Sequence, residues 1–268
     1  MSILICPVCS EKLGLHEKSY KCKNNHCFDL SKFGVLNLSL NNKSSKKRHG
    51  DDKAMVVART EFLDKGYYRP IKDAVITLCE KYCKGAKNLI DAGCGEGYYT
   101  AEVVKTLVLE EVFGVDLSKE ALRYFKKRIK NALPIVSSIF KMPFEESGAD
   151  FVLSMFVPDA YNEFLRVIKK DGYFIKTKVL KNHLIELKQA VYDNPYYNDE
   201  EPDEIEGFEK LDEIITDYKT TVLGDDIKKL FLMTPYYYKT SKTDQQKLEK
   251  IEKLEITVSV KTVVYKKV

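Results

Sequence analysis

An α/β fold is what this sequence predicts: a mostly parallel sheet with helices on its faces, preceded by a small cysteine-built module. Three observations predict it. From about residue 54 onward, short apolar runs alternate with stretches of helical periodicity. A glycine-rich turn, Asp91 to Gly97, joins one of those runs to a helical segment. Four of the seven cysteines, Cys6, Cys9, Cys22 and Cys27, cluster near the start of the chain. The composition agrees, since 44% hydrophobic residues spread through 268 positions can bury a large core and exclude wholesale disorder. No run approaches the roughly 18 consecutive apolar residues of a membrane helix, so no membrane span is expected. The opening MSILICPVC has neither a basic region nor a long apolar region, which disfavours a secretion signal. An odd cysteine count with this clustering suits reduced thiols and a cytoplasmic protein.

The elements follow in chain order. Residues 54–83, AMVVARTEFLDKGYYRPIKDAVITLCEKYC, read as two helical segments around a break at Gly66. NLIDAGCGEGYYTAEVVKTL is a short apolar strand, the glycine turn, then a helix. EVFGVDLS is a second strand ending at Asp116, and Ser118 is placed to cap the helix KEALRYFKKRIKNA. LPIVSS, DFVLSM and GYFIKTKV supply three further strands, with YNEFLRVIKK helical between the last two. The expected organisation is a cysteine module over residues 1–38, a basic linker over 39–52 and a larger domain over 53–268.

Charge follows that division. The formal net charge is only +4, yet residues 1–53 carry +5 and the remainder −1. The densest basic run, KSSKKRH from Lys43 to His49, is either a solvated linker or a strap for phosphates beside the cysteine module. In that module Cys6-Pro7-Val8-Cys9 is a two-residue-spaced pair, and Cys22, His26 and Cys27 offer the second half of a tetrahedral zinc site. Cys6, Cys9 and Cys22 are common to either choice, while His26 and Cys27 compete for the fourth position. Four protein ligands leave no open position, so the zinc is structural, and removing it is expected to unfold residues 1–38 while leaving the second domain's cofactor affinity nearly intact.

The turn Asp91-Ala92-Gly93-Cys94-Gly95-Glu96-Gly97 differs from the G-x-G-x-x-G of dinucleotide sites. Its D-x-G-x-G-x-G spacing lets the backbone approach a compact ligand such as S-adenosylmethionine, with Asp91 steering the cationic methionine end. Asp116, closing the next strand, is placed to accept hydrogen bonds from ribose hydroxyls, with Leu117 beside it. Ligands of open α/β sheets bind beyond the carboxyl ends of the strands. There Ser137, Ser138 and Met142-Pro143-Phe144 cover an adenine, and Phe156, Val157, Pro158 and Asp159 face the incoming acceptor. The D/N-P-P-Y/F sequence of many exocyclic-amine methylases is replaced by FVPD, and Asn194-Pro195-Tyr196 falls too late in the chain to substitute for it. Asp159 is a candidate general base or a cap for the following helix.

Taken together, CPVC, YKCKNNHCFDLSKFGVLNL, ARTEFLDKGYY, DAGCGEGYYT, GVDLSKEA, HLIELK and LMTPYYYK resemble the 23S rRNA guanine-N1 methyltransferases over nearly the whole chain. The resemblance implies a class I Rossmann-like methyltransferase domain with a mostly parallel seven-stranded sheet behind a small zinc-ribbon-like domain. It implies zinc on Cys6, Cys9, Cys22 and His26, and S-adenosylmethionine contacts at Tyr68, Gly95, Glu96, Asn182 and His183. With the turn and rim residues, the expected cofactor set also holds Asp91, Gly93, Gly97, Asp116, Leu117 and Ser138. HGDD in the linker and Lys169-Lys170-Asp171-Gly172 depart from the family's usual turns. The implied reaction methylates N1 of a guanine in a hairpin loop of 23S rRNA, and a homodimer is compatible with it. Tyrosines at 98, 99, 161, 192, 196, 197 and 236–238 are candidates to stack on the base. A small-molecule or protein methyltransferase would leave the zinc module and basic linker without an obvious use, and a methyltransferase of another RNA is a further alternative. A non-catalytic RNA-binding protein would not need the intact turn and Asp116.

Overall fold

The structure is a computed structural model that describes residues 2–40 and 51–268. The basic run Lys43–His49 therefore lies outside the described residues. Three short strands, β1 (Gly14–His16), β2 (Ser19–Lys21) and β3 (Cys27–Asp29), form an antiparallel sheet of their own. A two-residue strand β4 (Leu36–Asn37) follows, then helices α1 (Lys53–Asp64) and α2 (Arg69–Tyr82). The Rossmann-like part continues through β5 (Asn88–Ala92), α3 (Thr100–Thr106), β6 (Glu111–Asp116), α4 (Lys119–Arg128), β7 (Leu133–Val136), β8 (Ala149–Met155), α5 (Tyr161–Val167), β9 (Ile168–Val179) and α6 (Ile185–Val191). It closes with β10 (Phe208–Leu223), α7 (Asp225–Leu232), α8 (Lys242–Gln246) and β11 (Lys253–Lys267). The large sheet runs β10-β11-β9-β8-β5-β6-β7-β4, parallel from β9 to β4 and antiparallel at β11 and β10. Seven of these strands are the expected class I sheet. The eighth, β4, is contributed by the segment that follows the cysteine cluster and pairs with β7.

Local chemistry accounts for the element boundaries. Asp52 accepts from the Met55 amide (3.0 Å) and starts α1, and Ser118 accepts from the Ala121 amide (3.2 Å) and starts α4. Chain order reverses at β5, where β8 lies on one side and β6 on the other, so the crevice above β5 is the topological switch point. The helical reading of residues 161–170 overran. The helix ends at Val167 and Ile168 already pairs with Ala149, consistent with β-branched residues preferring the extended chain.

Ile3, Leu4, Cys6 and Cys22 are buried in one apolar cluster with Ile90, Phe113 and Phe144 of the large domain. An isolated bridge between Leu4 and Phe144 and the hydrogen bond from Ile5 N to Pro143 O (2.9 Å) reinforce the junction. The cysteine module thus shares a core with the sheet. Loss of its order would uncover apolar surface on the large domain.

Candidate active site and metal centre

The N-terminal cluster is built by two similar turns. The Ser10 amide returns to Cys6 O (2.8 Å) and the Asn25 amide to Cys22 O (3.0 Å), with Ser10 and Asn25 both left-handed. The turns bring Cys6, Cys9, Cys22 and His26 together, their ligand atoms all within 4.8 Å of one another. A tetrahedral zinc ion with ordinary bond lengths needs about 3.8 Å between sulfurs and about 3.6 Å between sulfur and nitrogen. The Cys9–Cys22 sulfurs are 3.7 Å apart, and His26 Nδ1 lies 3.6 Å from Cys6 Sγ and 3.4 Å from Cys22 Sγ. The donor set fits that ion. Cys27 is exposed on β3 with its thiol toward Asp29, so it takes no part in the cluster. The Glu11 amide pulls the Cys9 thiol down to about 6, toward the thiolate a metal requires.

The second site is a cavity of about 520 Å³ at the switch point. Its floor is the glycine turn. Gly93 has φ +76, and a Cβ there would sit 2.2 Å from Val157 Cγ1, so the backbone passes where no side chain fits. Gly97 serves helix packing instead, since its Cβ would meet Phe125 of α4 at 2.7 Å, and it is not among the cavity-lining residues. Asp91 is 2% exposed, accepts from the Thr100 hydroxyl and leaves Oδ1 without a partner. Burial pushes its carboxyl up to about 7, against the pull of Thr100. Glu96 is also buried with Oε1 unpaired, and burial raises it. Asp116 accepts from the Gly95 amide (3.0 Å) and the Ser118 amide (2.8 Å), locking turn and strand end together while burial raises its carboxyl.

An aromatic cluster lines the same cavity. Phe156, left-handed at the end of β8, lies 6.4 Å from Tyr68, 6.3 Å from Tyr99 and 6.3 Å from His183 between ring centres. His183 Nδ1 accepts from the Ser259 amide (3.2 Å), which leaves the proton on Nε2, and burial holds the ring neutral, down to about 3. The unpaired oxygens of buried Asp91 and Glu96, in a cavity also lined by aromatic rings, suit a ligand with a cationic end.

Tyr68, Asp91, Gly93, Gly95, Glu96, Asp116 and His183 line the cavity, as do Tyr98, Tyr99 and Tyr236. Leu117, Ser138 and Asn182 are not among the lining residues, nor are the remaining candidate tyrosines. Asp159 does not line it either: its carboxylate pairs with Lys176, and the cap position of α5 is taken by Ala160. Sequence reasoning missed Asp51, Arg59, Lys176, Lys178, Asn198 and Glu201, all of which do line it. Asp51 and Arg59 form an ion pair, which their separation across a helix start does not announce.

Known proteins place the fold. The family described as "Methyltransferase domain" matches residues 84–253. The chain belongs to that methyltransferase family. A second family, described as "RlmA, N-terminal", matches residues 4–46 of the methyltransferase. YxjB of Bacillus subtilis (strain 168), provisionally named a 23S rRNA (guanine-N(1)-)-methyltransferase, is 29% identical over 97% of this chain and 95% of its own. The 23S rRNA (guanine(748)-N(1))-methyltransferase of Streptomyces fradiae is 28% identical over 70% of this chain and 67% of its own. Among solved structures, a provisionally assigned methyltransferase of Bacillus halodurans C-125 superposes with a TM-score of 0.50 over 72% of this chain and 98% of that one, at 14% identity. The methyltransferase therefore joins an S-adenosylmethionine-binding fold to a candidate Cys3His zinc cluster, and it is related to rRNA-methylating proteins. Among the described residues no helix is long and apolar enough to cross a membrane.

Proposed function

We propose that the chain transfers a methyl group from S-adenosylmethionine to N1 of a guanine in a hairpin loop of 23S ribosomal RNA, in the cytoplasm. The observation that supports this most is likeness through both parts at once, 97% of the chain against YxjB, together with a ligand cluster of zinc dimensions. S-adenosylmethionine, when bound, supplies an electrophilic methyl group on a sulfonium. Asp91 and Glu96, each with an unpaired oxygen, would hold the cationic end, and Asp116 would accept from the ribose hydroxyls. Gly93 and Gly95 keep the floor open for close backbone approach. Tyr68, Phe156 and His183, clustered in the cavity, would exclude water from the cationic end, so that positioning and desolvation carry the rate. A loop base is already partly unstacked, which lowers the cost of drawing it into the cavity.

One structural zinc ion on Cys6, Cys9, Cys22 and His26 would rigidify the N-terminal surface, and the basic run after it would contact RNA phosphates. The test is methyl transfer from labelled S-adenosylmethionine to protein-free 23S rRNA, with the modified nucleotide mapped by a reverse-transcription stop and its methyl position read by mass spectrometry. Label on N1 of one loop guanine is expected. Label on protein or small molecules and none on the RNA would overturn the proposal.

A further inference from the structure

The cavity has a second end that the cofactor residues do not use. Asp91 and Asp116 close β5 and β6, whereas Lys176, Thr177 and Lys178 lie on β9, two strand spacings or about 10 Å from β5. Over β9 runs an acidic segment whose backbone is tied down. Lys178 Nζ donates to Glu201 O (2.8 Å) and Pro202 O (2.9 Å) and pairs with Asp203 (2.5 Å). Lys210 of β10 and Lys261 of β11 also hold Asp203, at 2.6 and 2.7 Å. Lysines from three adjacent strands thus fix the position of Glu201.

The Glu201 side chain is held as firmly. Lys176, only 4% exposed, donates its three protons to Asp159 Oδ1, to Tyr161 OH (2.7 Å) and to Glu201 Oε2 (2.6 Å). That leaves Glu201 Oε1 without a hydrogen-bond partner among the described residues, on a side chain that is 43% exposed and lines the cavity, so the oxygen is open to solvent until a ligand covers it. The other polar side chains here are committed. Asn198 accepts from Lys188 and Tyr236 and donates to the Leu180 and His183 carbonyls, Thr177 bonds Thr262, and Thr234 bonds the Phe231 carbonyl. Of these groups Glu201 alone offers an unpaired carboxylate oxygen, a stronger acceptor than a hydroxyl.

We propose that Glu201 reads the target base by accepting a hydrogen bond from the exocyclic 2-amino group of guanine, with Lys176 as its positioning residue. This rests on the guanine-N1 reading above. N1 must face the methyl donor in line, so a protein group that recognises the base takes a flanking substituent, either O6 or the 2-amine. A carboxylate accepts and cannot donate, which selects the amine. Adenine and hypoxanthine lack that amine and would leave Glu201 Oε1 buried against them unpaired.

The experiment pairs an RNA change with a protein change. Once the methylated guanine is mapped, two hairpins of the same sequence are made, one with that guanine and one with inosine, which keeps O6 and N1–H and lacks the amine. The parent protein is expected to favour guanine over inosine by tenfold or more in kcat/KM. Glu201→Ala is expected to bring the ratio within about threefold, with cofactor affinity close to the parent's and a lower melting temperature, because the buried Lys176 ammonium loses one of its partners. If the variant turns over too slowly, the same ratio is read from equilibrium binding of the two hairpins in the presence of S-adenosylhomocysteine. A parent that does not discriminate, or a variant that keeps the tenfold preference, overturns the assignment to Glu201 while guanine-N1 methylation stands. A parent that binds cofactor and methylates no guanine N1 refutes the underlying reading, and this inference falls with it.

Discussion

Replacing Asp91 with Asn separates charge from shape at the floor of the cavity. Asp91 is buried, pushed up to about 7, and bonded on one oxygen to Thr100. Near neutral pH the free protein therefore carries this carboxyl partly protonated. A ligand ammonium or sulfonium beside it favours the ionised form, so binding expels a proton. Affinity then falls as pH drops through 7 and levels off above it. The apparent dissociation constant scales as one plus the ratio of protonated to ionised Asp91, so going from pH 7.0 to 5.5 weakens binding by about fifteenfold if the bound group stays ionised. Asn has the same outline and can still bond Thr100, yet it does not titrate.

The stability consequence has the opposite sign. A carboxyl whose folded value lies above its unfolded 3.8 contributes stability that is full below 3.8 and is lost as pH rises through about 7. Without ligand above pH 7, Asp91→Asn should thus be the more stable protein, by at most about 4 kcal/mol. Calorimetric titration of S-adenosylmethionine at several pH values, in two buffers of different ionisation enthalpy, reads both affinity and proton release. Parent and variant with parallel pH profiles and equal proton release would show that Asp91 does not ionise on binding.

Other consequences can be checked with the same preparations. Asp116→Ala removes the acceptor of the Gly95 and Ser118 amides as well as the ribose contact, so cofactor affinity should fall by about 1 to 3 kcal/mol, and superimposable titration curves would refute it. Gly93→Ala puts a methyl 2.2 Å from Val157 Cγ1 in a left-handed residue, and cofactor binding should be lost or nearly so; adding Val157→Ala relieves the clash and should recover part of it, which no recovery would contradict. Stripping metal with a chelator should broaden the amide signals of the cysteine module and also lower the melting temperature of the whole chain, because Leu4 and Phe144 share a core. Full N-terminal dispersion in chelated protein would argue against metal-dependent folding. Reversing Lys46, Lys47 and Arg48 to Glu should weaken RNA binding and flatten its salt dependence at constant cofactor affinity, and unchanged RNA affinity would leave that run a solvated linker.

The parts of the site that sequence revealed are those whose chemistry is local. Asp91, Gly93, Gly95 and Asp116 belong to two strand ends and one turn, and a backbone that must run left-handed past Val157 announces itself as glycine. The Cys6–Cys9 pair is likewise a local turn; only the fourth ligand needed the resemblance, because His26 and Cys27 are neighbours and the direction in which β3 starts decides between them. The strands β10 and β11 gave no comparable signal. The pattern of β10 is charged on the open side of an edge strand, and its partner begins only at Lys253, beyond α7 and α8.

The acceptor end of the cavity is non-local throughout, and this explains why Asp159 drew attention and Glu201 did not. Asp159 follows a strand whose end could be read, so it looked placed for catalysis. What decides its role is Lys176, a lysine inside an apolar strand that a sequence reader assigns to solvent, yet which is 4% exposed and ties up the Asp159 carboxylate. Glu201 lies in a run of acidic residues that reads as a solvated loop. Only the lysines of β9, β10 and β11, which come together through sheet pairing, turn that run into a fixed strap over β9. Spacing along the chain reports one element's own faces, whereas a buried ion network is written across strands that meet through the sheet. The half of the cavity that serves every methyl donor alike was therefore legible. The half that would choose the acceptor is assembled from residues 176, 178, 198 and 201 beside Tyr236, and apart from that tyrosine it has to be read from contacts.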